Sequence, residues 1–181
     1  MGVIEVRLMV KRIELPTNPK KVQQLNKACW NDGRTVQGAN FFTFGYSGRS
    51  TDEIFEAVRQ AGVSTVVDIR FTPLSMYRPD FSKRNLERIV KSHGLDYLHL
   101  RWLGVPREIR ARAAEAGDLK VIWDWYDDEV VASFLGRNLN RFFKLASHPL
   151  ALMCTETDPT ACHRHRLFLA LEDRGMQGFD L

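Results

Sequence analysis

Cys154, Glu156, Cys162, His163 and Arg164 fall within one short segment, CTETDPTACHR. A thiol, a carboxyl and an imidazole at this spacing can supply a nucleophile and a proton acceptor. An arginine beside them can grip phosphate, sulfate or carboxylate through two parallel hydrogen bonds. Asp158-Pro159 reads as an N-cap followed by a first-turn proline, so a helix is expected from Pro159 to about Arg174. The amides and dipole at its start would attract an anion and raise the thiolate fraction of Cys154 or Cys162. Glu156 opposes that effect, and could serve as a general base or pair with Arg164. On the expected helix His163, Leu167, Ala170 and Arg174 share one stripe, with His163 at its top near the sheet. Plainer roles stand beside these. Free cysteines are common small core residues, and a histidine topping an apolar face can be purely structural.

The elements that must position these residues alternate between strand and helix. Phe41 to Gly45 reads as a strand. Ser50-Thr51-Asp52-Glu53 is a capping box opening a helix with Ile54, Phe55, Val58 and Ala61 on one face and Gly62 as its stop. Val63 to Ile69 is a second strand. Ser82 is expected to cap a helix carrying Leu86, Ile89 and Val90, ended by Gly94, and Leu95 to Leu100 is a third strand. Pro106 suits the first turn of a helix through Ala116, and Glu129 to Ala146 has helical spacing. Leu150 to Cys154 is continuously apolar, as a strand buried on both faces should be. Gly178 to Leu181 can add a short last strand. Such alternation predicts an open, mostly parallel, Rossmann-like α/β sheet flanked by helices.

Ligands of open α/β sheets bind outside the strand C-termini. The strand ends here carry Tyr46 and Ser47, then Asp68, Arg70 and Pro73, then His99 and Arg101, then Cys154, Glu156 and Asp158. Asp68 within VVDIR and Cys154 closing LALMC sit where the chain is about to leave the core. This assigns Cys154, Glu156 and Asp68 as candidate catalytic groups. Tyr46, Ser47, Arg70, Cys162, His163 and Arg164 are the candidate substrate-binding groups.

The segments FFTFGYSGRS, VVDIRFTPLS, FSKRNLERIVKSHGLDYLHL and ALMCTETDPTACHRH resemble, in order and spacing, the domain of unknown function 488 family. The resemblance spans about residues 41–181, and its most specific element is C-x-E-x5-C-H-R, Cys154 through Arg164. It implies a compact α/β fold. It also puts functional weight on Tyr46, Ser47, Asp68, Arg70, Pro73, Cys154, Glu156, Cys162, His163 and Arg164. Residues 1–40 lie outside the pattern, and the added His165-Arg166 makes an unusually basic turn.

Three functions fit these residues. The first is a cysteine- or carboxylate-dependent enzyme acting on a phosphate-bearing or nucleotide-like substrate. The second is a noncatalytic nucleotide or nucleic-acid binding module. The third is a metal site built from Cys154, Cys162 and His163. Metal ranks last, because adjacent residues on a helix project about 100° apart and no C-x2-C pair is present. No metal ligand is therefore assigned, and the cofactor is left open. Of the net charge of +4, all lies in residues 1–40, which hold seven Lys/Arg against three acids; residues 41–181 hold 19 of each. The leading segment is thus expected to be a basic extension with weak, nonspecific affinity for nucleic acid, outside a single 41–181 domain. No apolar run is long enough to span a membrane, and nothing at the start reads as a signal peptide. Three cysteines do not make a disulfide framework. A cytoplasmic protein is expected.

Overall fold

A computed structural model describes residues 36–181. The alternation over residues 3–10 also predicts an edge strand and residues 20–30 a short helix; both, with Cys29 and nearly all of the basic extension, lie outside the described residues. Five parallel strands form the sheet, in the order β3-β2-β4-β1-β5. They are β1 (Phe41–Gly45), β2 (Thr65–Asp68), β3 (Asp96–His99), β4 (Leu150–Cys154) and β5 (Gly178–Asp180). The open, parallel α/β architecture is therefore as the alternation predicted. No helix among the described residues is long and apolar enough to cross a membrane.

The chain steps from β1 to β2 to β3 in one direction, then reverses to place β4 at the centre and β5 at the far edge. The first two crossovers pack on one face, where Ile54, Phe55, Leu86 and Val90 meet Phe42, Phe44, Val66 and Met153. The later ones pack on the other face, where Tyr126, Phe134, Phe142 and Leu167 meet Phe41, Val67, Leu152 and Cys154. Right-handed crossovers require this change of face when the direction reverses. β4, covered on both faces, is wholly buried, which explains its unbroken apolar run.

Local signals set most element ends. Helix α1 (Thr51–Gln60) starts at the expected capping box: Ser50 Oγ accepts from the Glu53 amide at 3.2 Å, and Glu53 Oε2 accepts from the Ser50 amide at 2.8 Å. Gly62, at φ +75°, turns the chain back towards β2. Helix α2 (Lys83–Ser92) also starts after its expected serine, but Ser82 does not cap it with its side chain. Ser82 Oγ instead accepts from the Ser75 amide at 3.1 Å, tying down the loop over residues 72–82.

Three boundaries differ from expectation. Val36 and Ala39 are buried in the core, so packing extends back past residue 40. After α3 (Arg107–Ala116), the expected helix over 129–146 begins earlier, as α4 (Lys120–Trp125). It continues through π-turns at Tyr126–Val131 and Phe134–Asn138 into α5 (Leu139–Leu145). Gly117 ends α3 in the left-handed conformation, and the Asp118 carboxylate accepts from the Lys120 amide at 2.8 Å to start the next helix.

The third boundary lies at the site. Asp158 caps only a 3-10 turn, Pro159–Ala161; Cys162 then breaks the helix in extended conformation, and α6 (Arg164–Glu172) starts afresh. The expected single helix from Pro159 does not form. Arg164 explains the break, because its guanidinium reaches back over the turn to the carbonyls of Glu156 and Thr157.

Ahead of β4, half-buried His148 leaves Nε2 buried without a hydrogen-bond partner and packs its ring 5.1 Å from that of Phe143. Burial pushes its pKa down, against a hydrogen bond that the ring donates to the Phe143 backbone carbonyl. The unfolded chain therefore takes up this proton more readily, so stability rises with pH and is lost as pH falls through about 6.5. His148→Phe should lose less thermal stability than the wild type between pH 7 and pH 5. Equal losses would remove His148 as the cause.

Candidate active site

The C-terminal ends of β1, β2 and β4 open into a cavity of about 690 Å³. Its floor is polar, formed by Tyr46, Arg70, Cys154, Glu156, Cys162 and His163. Its walls are largely apolar: Leu74, Met76 and Tyr77 from the loop after β2, and Leu119, Ile122 and Trp123 from the region of α4. Leu74, Met76 and Tyr77 are strongly exposed.

Arg70 is the cation of the floor, and its position is fully specified. Asp68, wholly buried at the end of β2, accepts from Arg70 Nε at 2.9 Å and from Nη2 at 2.6 Å. Tyr97 donates to the other side of Asp68 Oδ2 at 2.7 Å. Arg70 Nη1 donates to the Tyr46 hydroxyl at 3.2 Å, and Tyr46 stacks on Phe81 with centroids 4.1 Å apart. Burial alone would lower the Arg70 pKa, but Asp68 outweighs it and raises it, so the charge is permanent. Three of the five guanidinium N–H groups are engaged, which leaves two for a ligand in the cavity. Asp68 is thereby a positioning group, its carboxylate committed to Arg70 and Tyr97.

Cys154 and His163 meet at the base of the cavity. Cys154 Sγ donates to Glu156 Oε2 at 3.3 Å and lies 3.8 Å from His163 Nδ1 and 3.9 Å from Nε2. The sulfur therefore rests against the ring, and a χ rotation of His163 would align it with one nitrogen. His163 Nε2 lies 3.4 Å from the carbonyl oxygen of Ile69, an acceptor only. That contact assigns the proton to Nε2 and leaves the Nδ1 lone pair on the side of the sulfurs. The Tyr126 ring, in the first π-turn, backs His163 at 5.1 Å, and its hydroxyl donates to the Leu103 carbonyl at 2.6 Å.

Burial pushes the Glu156 carboxyl up, but thiol hydrogen bonds, chiefly from Cys162, and the nearby His163 outweigh it and hold the carboxyl low. Burial, reinforced by Cys154, pushes the Cys162 thiol well above its usual range. Cys162 is thus not the activated thiolate envisaged at a helix start. The helix start expected to favour a thiolate is also absent there, since the amides after Asp158 are taken by Asp158 itself and by Pro159.

Of the other expected residues, Arg164 and Ser47 do not line the cavity. Arg164 is completely buried, facing Asp180 Oδ1 at 3.4 Å and the carbonyls of Glu156 and Thr157. Asp180 also accepts from Thr43. Arg164 is therefore a lock on the loop carrying Glu156. Ser47 holds the same loop through its backbone, its amide donating to Thr155 at 3.0 Å and its carbonyl accepting from Thr157 Oγ1 at 2.7 Å. Arg166, of the basic turn, pairs with Asp127. Tyr97, Tyr126 and Asp180 were missed by sequence reasoning. Only Asp180 carried a signal there, as an acid inside a short apolar strand.

Cys162, standing outside the helix, also changes the metal argument. The two sulfurs and a ring nitrogen of His163 lie within 4.8 Å of one another, so the 100° separation expected of helical neighbours does not apply.

A family model described as a domain of unknown function, DUF488, matches residues 50–171, about two thirds of the chain. The match includes the whole segment from Cys154 to Arg164 and leaves out β1 and β5. No curated protein and no solved structure matches the chain.

Proposed function

We propose that this protein, which belongs to the DUF488 family, is a cysteine-dependent enzyme acting on a phosphate-bearing substrate with an apolar or ring moiety. The observation that carries the reading is the convergence of Cys154, Glu156 and His163 with Arg70 on one cavity floor. Arg70 offers its two remaining N–H groups to a phosphate, and the walls from Leu74 to Tyr77 and from Leu119 to Trp123 accept the apolar part. His163 Nδ1 takes the Cys154 proton as sulfur attacks the electrophilic centre, and the imidazolium then returns that proton to the leaving group. Glu156 stabilises the imidazolium and fixes the resting thiol by accepting its hydrogen bond. A nucleotide-like substrate fits both ends of the cavity.

Titration calorimetry with nucleoside triphosphates and inorganic pyrophosphate tests the anion anchor. Arg70→Lys keeps a charge beside Asp68 but loses the fork. It should weaken binding roughly 10-fold or more, the value of a charged hydrogen bond. Unchanged affinity would detach Arg70 from the reading. Binding that depends on Arg70, with no reactivity at Cys154, would favour the noncatalytic nucleotide-binding module.

A further inference from the structure

We propose that Cys154, Cys162 and His163, completed by Glu156, form a binding site for one thiophilic divalent cation, Zn2+ in the first instance. Occupation of the site would cap Cys154 and silence its thiol. The inference shares the cavity of the proposed enzyme but does not require Cys154 to be catalytic.

Four observations support it. The three ligand atoms lie within 4.8 Å of one another, with His163 Nδ1 at 3.8 Å from Cys154 Sγ and 4.0 Å from Cys162 Sγ. A tetrahedral zinc with ordinary Zn–S and Zn–N bonds needs donor separations of about 3.6–3.8 Å, so modest side-chain rotations close the set. The contact of His163 Nε2 with the Ile69 carbonyl is the outer partner that metal-bound imidazoles generally have, and it leaves Nδ1 as the ligand. Glu156 Oε2, 3.3 Å from Cys154 Sγ but outside the 4.8 Å set, is near enough to swing in as the fourth donor. Cys154 and Cys162 are both free thiols lining a cavity, so an ion has a path to them.

The donor set defines the ion. Two thiolates and an imidazole favour Zn2+ over Mg2+ or Ca2+, which take oxygen ligands. On binding, each thiol releases its proton to solvent as its sulfur–metal bond forms, and no electrons are transferred. The buried Cys162 thiol, otherwise without a part in the proposed chemistry, gains one as a ligand.

The test uses the full chain, reduced and stripped with a chelator, titrated with Zn2+ against a chromophoric chelator and separately with Co2+. The expected result is one Zn2+ per chain and a Co2+ spectrum with sulfur-to-metal charge transfer and intense tetrahedral bands. Zn2+ should also protect Cys154 from iodoacetamide. Cys162→Ser should lose more affinity than the roughly 10–100-fold that removal of an outer-shell partner costs. Glu156→Gln should lose less than Cys162→Ser. Wild type binding Zn2+ no better than the Cys154→Ser, Cys162→Ser double variant would overturn the proposal, as would an octahedral Co2+ spectrum free of sulfur bands. Both readouts are available on the wild type, so a variant that fails to fold does not rescue the idea. A negative result would leave the reactivity of metal-free Cys154, and with it the enzyme reading, untouched.

Discussion

Arg164→Met should cost about 3–5 kcal/mol, because it removes the guanidinium that faces the buried Asp180 carboxylate. It also strands two loop carbonyls, those of Glu156 and Thr157, away from water. A loss of that size lowers the melting temperature of a domain this large by roughly 10 °C or more. Pairing the change with Asp180→Leu should restore part of the loss, since the carboxylate that Arg164 faces is then gone as well. Thermal melts of the two single variants and the double variant check this. If Arg164→Met melts like the wild type but fails to bind pyrophosphate, Arg164 is a ligand-binding residue after all, and its assignment as a lock is wrong.

Gly45→Ala is expected to destabilise the protein by on the order of 3 kcal/mol and to disturb the cavity floor. A Cβ added there would stand 1.7 Å from the carbonyl oxygen of Glu156, a backbone atom that cannot swing aside. The same carbonyl accepts from Arg164 on its other side. Gly45 and Arg164 thus clamp the loop between β4 and the 3-10 turn, and the Glu156 side chain reaches Cys154 from that clamp. Urea unfolding should show the loss as a lower midpoint. A shift worth less than about 0.5 kcal/mol would mean that the loop yields and that no clamp exists.

The parts of the fold that were legible in the sequence are those governed by neighbours along the chain. Ser50 and Glu53 announce their helix because both partners of the capping box lie within one turn. LALMC announces a strand buried on both faces because no polar residue interrupts it. Asp68 and Arg70, two residues apart at a strand end, could be read as a pair. Their third partner, Tyr97, could not, since only the β2–β3 register brings it alongside. The burial of Arg164 was not legible for the same reason: its acceptors come from residues 156, 157 and 180, and nothing local distinguishes a buried lock from an anion grip. The break at Cys162 is likewise tertiary. Asp158-Pro159 is a sound start signal, and the chain follows it for one turn before Arg164 and the buried Cys162 redirect it. The start at Lys120 was legible in Gly117-Asp118, a stop followed by a cap. The apolar spacing after Glu129, stretched by the π-turns, drew the boundary too late.

The site's chemistry reduces to one question, whether Cys154 reacts while the protein is folded. Only 2 % of Cys154 is accessible, yet it lines the cavity, so a small reagent reaches it through the same opening as a substrate. The decisive measurement is peptide-resolved mass spectrometry after iodoacetamide treatment of the metal-free, folded protein at pH 7, with and without saturating pyrophosphate. The expected result is an adduct at Cys154 with Cys162 spared, the Cys154 reaction being slowed by pyrophosphate and by His163→Gln. Glu156→Gln should speed the reaction, since the carboxylate no longer holds the resting thiol by its hydrogen bond. If Cys154 stays unmodified until the protein is unfolded in urea, it is a core residue and the cysteine-dependent enzyme is contradicted.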